Sequence, residues 1–119
     1  MTDVIPAAPL SRLREICLAF PEATEKETWE APTFRVRDKI FAMVHPVNGA
    51  ASFWCKAPPG AQTILVNAAP ERFFVPPYVG RNGWIGVWLD AGLDWDEVRA
   101  LVRRSYGLTA PRRLVAQLG

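Results

Sequence analysis

Eleven prolines and eight glycines are spread through only 119 residues, and they cut the chain into segments too short for a helical bundle. Two periodicities run between these breaks. From Pro9 the apolar residues Leu10, Leu13, Cys17 and Phe20 step by three, four and three, the stripe of an amphipathic helix that Pro21 stops. Residues 1–8, small and proline-rich, are expected to fray, and residues 22–30, carrying four glutamates against Lys26, read as a polar loop. Strand signals follow. Residues 33–37 alternate polar and apolar, Asp38-Lys39 turns the chain, and residues 40–44 return it.

This register puts Phe34, Val36, Phe41 and Met43 on one face and Arg35 and Arg37 on the other. Val47-Asn48-Gly49 reads as a three-residue hairpin loop, which directs Phe53 and Cys55 to the core and Ser52, Trp54 and Lys56 outward. Residues 59–67 suit a short helix carrying Ile64 and Leu65. Residues 73–78, with Pro76-Pro77, suit only extended loop or sheet edge. After a turn at residues 80–83, Ile85, Val87 and Leu89 alternate inward, and Trp84, Gly86 and Trp88 outward. A last long helix opens on Asp94-Trp95-Asp96-Glu97 with Asp94 as cap, carries Trp95, Val98, Leu101, Val102 and Tyr106, and is expected to end at Gly107. A short helix from Ala110 closes the chain.

Strands that run together between terminal helices predict one α+β domain over residues 1–119: a mainly antiparallel sheet, with the N- and C-terminal helices packed on one face and the other face partly open. Half the residues are apolar and 22% are charged, which excludes a disordered chain, and a net charge of +2 is too mild to demand a polyanionic partner. No apolar run has the length of a membrane span. Two cysteines, Cys17 and Cys55, make no disulfide framework, so the expected setting is the reducing cytoplasm.

Catalytic templates find little to use. The lone histidine, His45, excludes a histidine-rich metal centre. In the expected register Cys55 lies opposite Phe41, four steps and about 13 Å from His45, too far for a Cys–His nucleophile. The glutamates of residues 22–30 have no converging spacing, and Gly80-Arg81-Asn82-Gly83 lacks the phosphate-loop fingerprint. The expectation is a protein that is not an enzyme and needs no cofactor or metal. Five arginines after residue 98, with no acid from there to the end, read as a solvated helix face whose cations favour its C-terminus. Arg35, Arg37, Lys39 and Lys56 are more pointed, because they neighbour Trp54, Trp84 and Trp88. Guanidinium forks bind phosphates, and indole faces offer stacking surface. Trp29 and Trp95 read as structural.

The string Trp29-Glu30-Ala31-Pro32-Thr33-Phe34-Arg35-Val36, with Lys39-Ile40-Phe41-Ala42 and then Pro76-Pro77-Tyr78-Val79-Gly80-Arg81-Asn82-Gly83-Trp84, resembles the MmcQ/YjbR family over nearly the whole chain. That resemblance implies a compact frataxin-like α+β fold and a double-wing DNA-binding arrangement of projecting hairpins. One wing would be Arg35, Arg37 and Lys39, and the other Arg81, Asn82 and Trp84. Trp54-Cys55-Lys56 stands where much of the family has a lysine ahead of the cysteine, and Arg37-Asp38-Lys39 replaces a turn richer in glycine.

Two functions therefore compete. The first is a monomeric module that grips the phosphates of double-stranded DNA through Arg35, Arg37, Lys39, Lys56, Arg81, Asn82 and Trp84. The alternative is a small-molecule binding protein with Trp54, Tyr78, Trp84 and Trp88 lining a pocket on the open sheet face. A frataxin-like iron site is disfavoured by the dispersal of the glutamates.

Overall fold

The computed structural model describes residues 7–28, 31–89 and 93–118. Helix α1 (Ala7–Leu18) leads into strands β1 (Ala23–Thr28), β2 (Ala31–Val36), β3 (Lys39–Val44) and β4 (Ser52–Cys55). Helix α2 (Ala61–Ala68), the two-residue strand β5 (Phe73–Phe74), a 3-10 turn (Gly80–Asn82) and strand β6 (Ile85–Trp88) come next. Helices α3 (Trp95–Thr109) and α4 (Arg112–Ala116) complete the chain. The six strands form one antiparallel sheet in the order β1-β2-β3-β4-β6-β5. The α+β architecture is the one the segment pattern predicts.

Several boundaries differ from expectation, each for a physical reason. Helix α1 already includes Ala7; the rest of the stretch expected to fray lies outside the described residues. The polar segment is no loop: β1 pairs with β2 from Ala23↔Val36 to Thr28↔Ala31. An edge strand needs only one neighbour, and its charged side chains discourage pairing with another chain. Helix α3 runs through Gly107, which keeps ordinary helical dihedrals, and stops where Ala110 turns extended ahead of Pro111. Asp94 caps it as expected, its carboxylate accepting from the backbone N–H of Asp96 and Glu97.

The β2–β3 hairpin carries a bulge. Phe34 faces Ala42 and Arg35 faces Ile40, leaving Phe41 as the extra residue. The bulge puts Phe41 and Ala42 on the same side as Phe34 and sends Met43 to the opposite face, correcting the expected placement of Met43. Its freed backbone is satisfied by α3: the Ser105 hydroxyl donates to the Phe41 carbonyl (2.5 Å) and accepts from the Lys56 N–H (2.8 Å). The next hairpin has a two-residue loop, with Asn48 and Gly49 both at positive φ and Val47 bridged to Ala50. That is the Asn-Gly turn matching strand twist, one residue shorter than predicted. Cys55 consequently lies opposite Ala42.

The main core lies between the sheet and helices α1, α3 and α4. Leu13, Ile16 and Cys17 of α1 and Val98, Leu101, Val102 and Tyr106 of α3 cover Phe34, Val36, Phe41, Phe53, Cys55, Ile85 and Val87. Tyr106 stacks on Phe20 at 4.9 Å, meets Phe41 edge-on at 5.3 Å and donates its hydroxyl to the Pro21 carbonyl (2.7 Å). Among the described residues no helix is long and apolar enough to cross a membrane.

Candidate functional site

The second sheet face is not open over its middle. A row of paired residues crosses it, Thr33, Met43, Trp54, Gly86 and Phe74 on five successive strands. The segment from Phe74 to Trp84 folds back over that row. Met43, Trp54 and Trp84 form a second small core with Ile40, Val47, Phe74 and Val79. Trp54 is 1% exposed and Trp84 8%, so both indoles are packed into this face, correcting the expected exposed platform. Trp88 is half-buried and stacks on Phe74 at 4.3 Å. Gly86 makes this possible, since a Cβ there would stand 2.3 Å from the Phe74 ring. Trp29, read from sequence as structural, lies outside the described residues.

Under the returning segment a cavity of about 440 Å³ remains, lined by Met43, His45, Trp54, Tyr78 and Val79. Its polar groups are few and mostly committed. Trp54 Nε1 donates to Ser52 Oγ (3.0 Å), and Ser52 Oγ donates to the His45 carbonyl (2.6 Å). The imidazole of His45 stacks on the Trp54 indole at 4.4 Å and 19°.

Tyr78 is the odd member. It is 86% exposed at the mouth of the cavity with φ at +68°. The Val79 N–H donates to the Pro77 carbonyl (2.7 Å), a γ-turn centred on Tyr78 in its rare, strained, positive-φ form. A bulky residue held that way costs on the order of 1–3 kcal/mol, and such strain gathers at ligand clamps and active sites. The turn is anchored from behind: the Gln62 side-chain amide of α2 donates to the carbonyls of Gly80 (2.7 Å) and Trp84 (2.6 Å).

The predicted cationic residues divide. Arg35 is locked, its guanidinium donating to Thr33, Thr28 and Asp38 with only 13% of its side chain exposed. Arg37 makes a two-pronged ion pair with Glu22 (2.6 and 3.3 Å), which lowers the Glu22 pKa and raises that of Arg37. Lys39, Arg81 and Asn82 are exposed and Lys56 is half-buried, and no ion pair among the described residues engages them. Lys39 opens β3, Lys56 follows β4, and the 3-10 turn with Arg81 and Asn82 precedes β6, so all lie at one end of the sheet. Burial, then the like charge of Lys39, lowers the pKa of Lys56, whose ammonium lies 6.0 Å from the Trp84 ring. Arg104 and Arg113, read from sequence as a solvated helix face, reach the same end: their charges act on Cys55 and Glu22.

Of the four residues expected to line a pocket on this face, Trp54 and Tyr78 do, whereas Trp84 and Trp88 pack beside it, and His45, Met43 and Val79 line it without having been expected. The bulge hides Met43 from a strict two-residue alternation, and nothing local to His45 announces that its ring stacks on Trp54. Nucleophilic chemistry gains nothing here, because burial pushes the Cys55 thiol up to about 12 and that of Cys17 well above its ordinary value. No group of three or more metal-binding side chains assembles among the described residues.

Known proteins share this architecture. The solved structure of a Deinococcus radiodurans protein with a DUF419 domain superposes with a TM-score of 0.73 at 22% identity, covering 83% of this chain and 76% of that one. The uncharacterized protein YjbR of Escherichia coli, in strain K12 and in O157:H7, is 28% identical over 103 residues, 82% of this chain and 83% of its own. The YjbR family model matches residues 18–108, from the last residue of α1 to the penultimate residue of α3, and the chain therefore belongs to the YjbR family.

Proposed function

We propose that this protein is a non-catalytic binding module that holds a small, flat, mostly apolar ligand in the cavity of Met43, His45, Trp54, Tyr78 and Val79. The observation that carries the reading is the strained, solvent-exposed Tyr78 at the mouth of an aromatic-walled cavity of about 440 Å³. That volume falls in the range of small-molecule sites, and the wall has their usual makeup of apolar surface with a few convergent polar groups. The groove between α1 and α3 is somewhat larger, about 490 Å³, but its rim is charged rather than aromatic: Arg99 pairs with Asp96, Arg103 donates to the Leu118 carbonyl, and Arg12 lies over Trp95. Titrating a metabolite library into ¹⁵N-labelled protein tests the proposal. A binding compound shifts the Trp54 indole and Tyr78 backbone resonances, and Tyr78→Ala weakens it about tenfold or more without lowering Tm. A library that leaves those resonances unmoved overturns the reading.

A second reading keeps double-stranded DNA as the partner, favoured by the unpaired cations at one end of the sheet. The gripping residues would be Lys39, Lys56, Arg81 and Asn82, joined by Arg104 and Arg113, with Arg35 and Arg37 in structural roles. Contacts of this kind give a log–log salt slope of about −0.9 per phosphate neutralised. The triple variant Lys39→Ala, Lys56→Ala, Arg81→Ala is expected to lower that slope by two to three units, estimated on the same basis. Duplex affinity that ignores both salt and the triple variant counts against it.

A further inference from the structure

We infer that the cavity selects a planar ring bearing an N–H or O–H donor, and that His45 Nε2 is the acceptor that reads it. The inference rests on the ligand-pocket reading above and adds the chemistry of the ligand.

The His45 ring is fixed on several sides. It stacks on Trp54, its backbone N–H donates to Ser52 O (2.9 Å), its carbonyl accepts from Ser52 Oγ (2.6 Å), and Nδ1 stands 2.9 Å from the Pro46 carbonyl. A carbonyl oxygen only accepts, so Nδ1 carries the proton, and the neutral imidazole keeps its lone pair on Nε2. Among the described residues Nε2 has no hydrogen-bond partner, and none of their buried side-chain nitrogens or oxygens is left unpaired. Nε2 is therefore reachable from open space, on a residue that lines the cavity.

The remaining wall leaves it alone in that role. Trp54 Nε1 and Ser52 Oγ are spent on each other and on the His45 carbonyl, Met43 and Val79 offer only apolar surface, and the Tyr78 side chain stands at the exposed mouth. Among the described residues no cation lines the cavity, so a carboxylate or phosphate would be desolvated without a partner. A flat ring without a donor would cover Nε2 and leave it unsatisfied, the arrangement that binding sites discriminate against most strongly.

Three isolated probes test this at about pH 8 by titration into ¹⁵N-labelled protein: indole, 1-methylindole, which lacks the donor, and 3-methylindole, which matches its size and keeps the donor. Indole and 3-methylindole are expected to bind at least about fivefold more tightly than 1-methylindole, the worth of one neutral hydrogen bond. His45→Phe, which preserves the stack, is expected to erase that preference while still binding all three. Equal binding of the three probes to the parent protein, or a preference surviving in His45→Phe, overturns the assignment and leaves the pocket standing. If no probe moves the Trp54 or Tyr78 resonances, the pocket reading falls with it.

Discussion

The two faces of one sheet are closed in different ways. The first is sealed by α1, α3 and α4, whose aliphatic and aromatic stripes interdigitate with alternating strand residues, so that Leu13, Cys17, Phe34, Phe41, Phe53 and Tyr106 have no exposed surface. The second is covered by an irregular segment, and among the described residues the small core beneath it has three buried members, Met43, Trp54 and Trp84. A helix repeats its apolar stripe and can follow a sheet for many residues. A loop with two prolines cannot, so it touches down at points and leaves space between them. The helical face carries stability, and the loop-covered face carries the cavity, the strained tyrosine and the one uncommitted imidazole nitrogen.

Truncations can break or sharpen this contrast. The largest effect is expected from Phe41→Ala, which removes the bulge residue packed on Phe20 and Tyr106 and should cost about 3–5 kcal/mol in denaturant unfolding. Met43→Ala on the opposite face should cost nearer 2 kcal/mol, because the neighbouring cavity already limits its contacts. Equal losses would mean that the second face is packed as tightly as the first.

Gly86→Ala comes next, at about 1–3 kcal/mol, since the new methyl must displace the Phe74 ring from the strand. The double variant with Phe74→Ala should be less destabilised than the two single losses summed, which a double-mutant cycle reads directly. Tyr78→Gly should act in the other direction. Glycine accepts positive φ freely, so Tm should rise, by an amount corresponding to about 1 kcal/mol, while ligand binding is lost. A fall in Tm would show that Tyr78 is held by packing rather than strained for use.

The smallest expected effect lies at the exposed corner between the faces. The Glu22 pKa is lowered below its ordinary 4.5 chiefly by the hydrogen-bonded ion pair with Arg37. The unfolded chain therefore binds more protons on the acid side, so the contribution is complete above the unfolded value and is lost as pH falls through the lower folded one. Glu22→Gln should flatten the acid limb of a Tm-against-pH curve slightly and leave neutral stability almost unchanged. Solvent screens an exposed pair of this kind.

Much of the fold was legible in the chain. The Leu13 and Cys17 stripe, the Asp94 cap, the inward Ile85 and Val87, and the extended reading of Phe73 and Phe74 rest on local periodicity and stereochemistry, and all hold in the structure. The failures share a cause. β1 has no apolar face to betray it and exists because β2 offers a pairing edge. The bulge at Phe41 is invisible to a strict two-residue alternation, because its freed carbonyl is satisfied by Ser105, sixty-four positions along the chain. Arg35 and Arg37 looked like phosphate ligands because their partners Thr28 and Glu22 sit on a segment read as loop.

The sequence by itself determined the antiparallel α+β layout, the capped start of α3 at Asp94, and most residues of the main core, because each follows from forces acting within a few neighbouring residues. Whether a tryptophan is platform or wall, whether an arginine is free or bound, and which residues border a cavity were decided only when distant segments met. Burial and electrostatic pairing depend on what lies across space, and the return of residues 74–84 over Trp54 is fixed by hydrogen bonds from Gln62 and by a glycine opposite Phe74 that no local pattern announces.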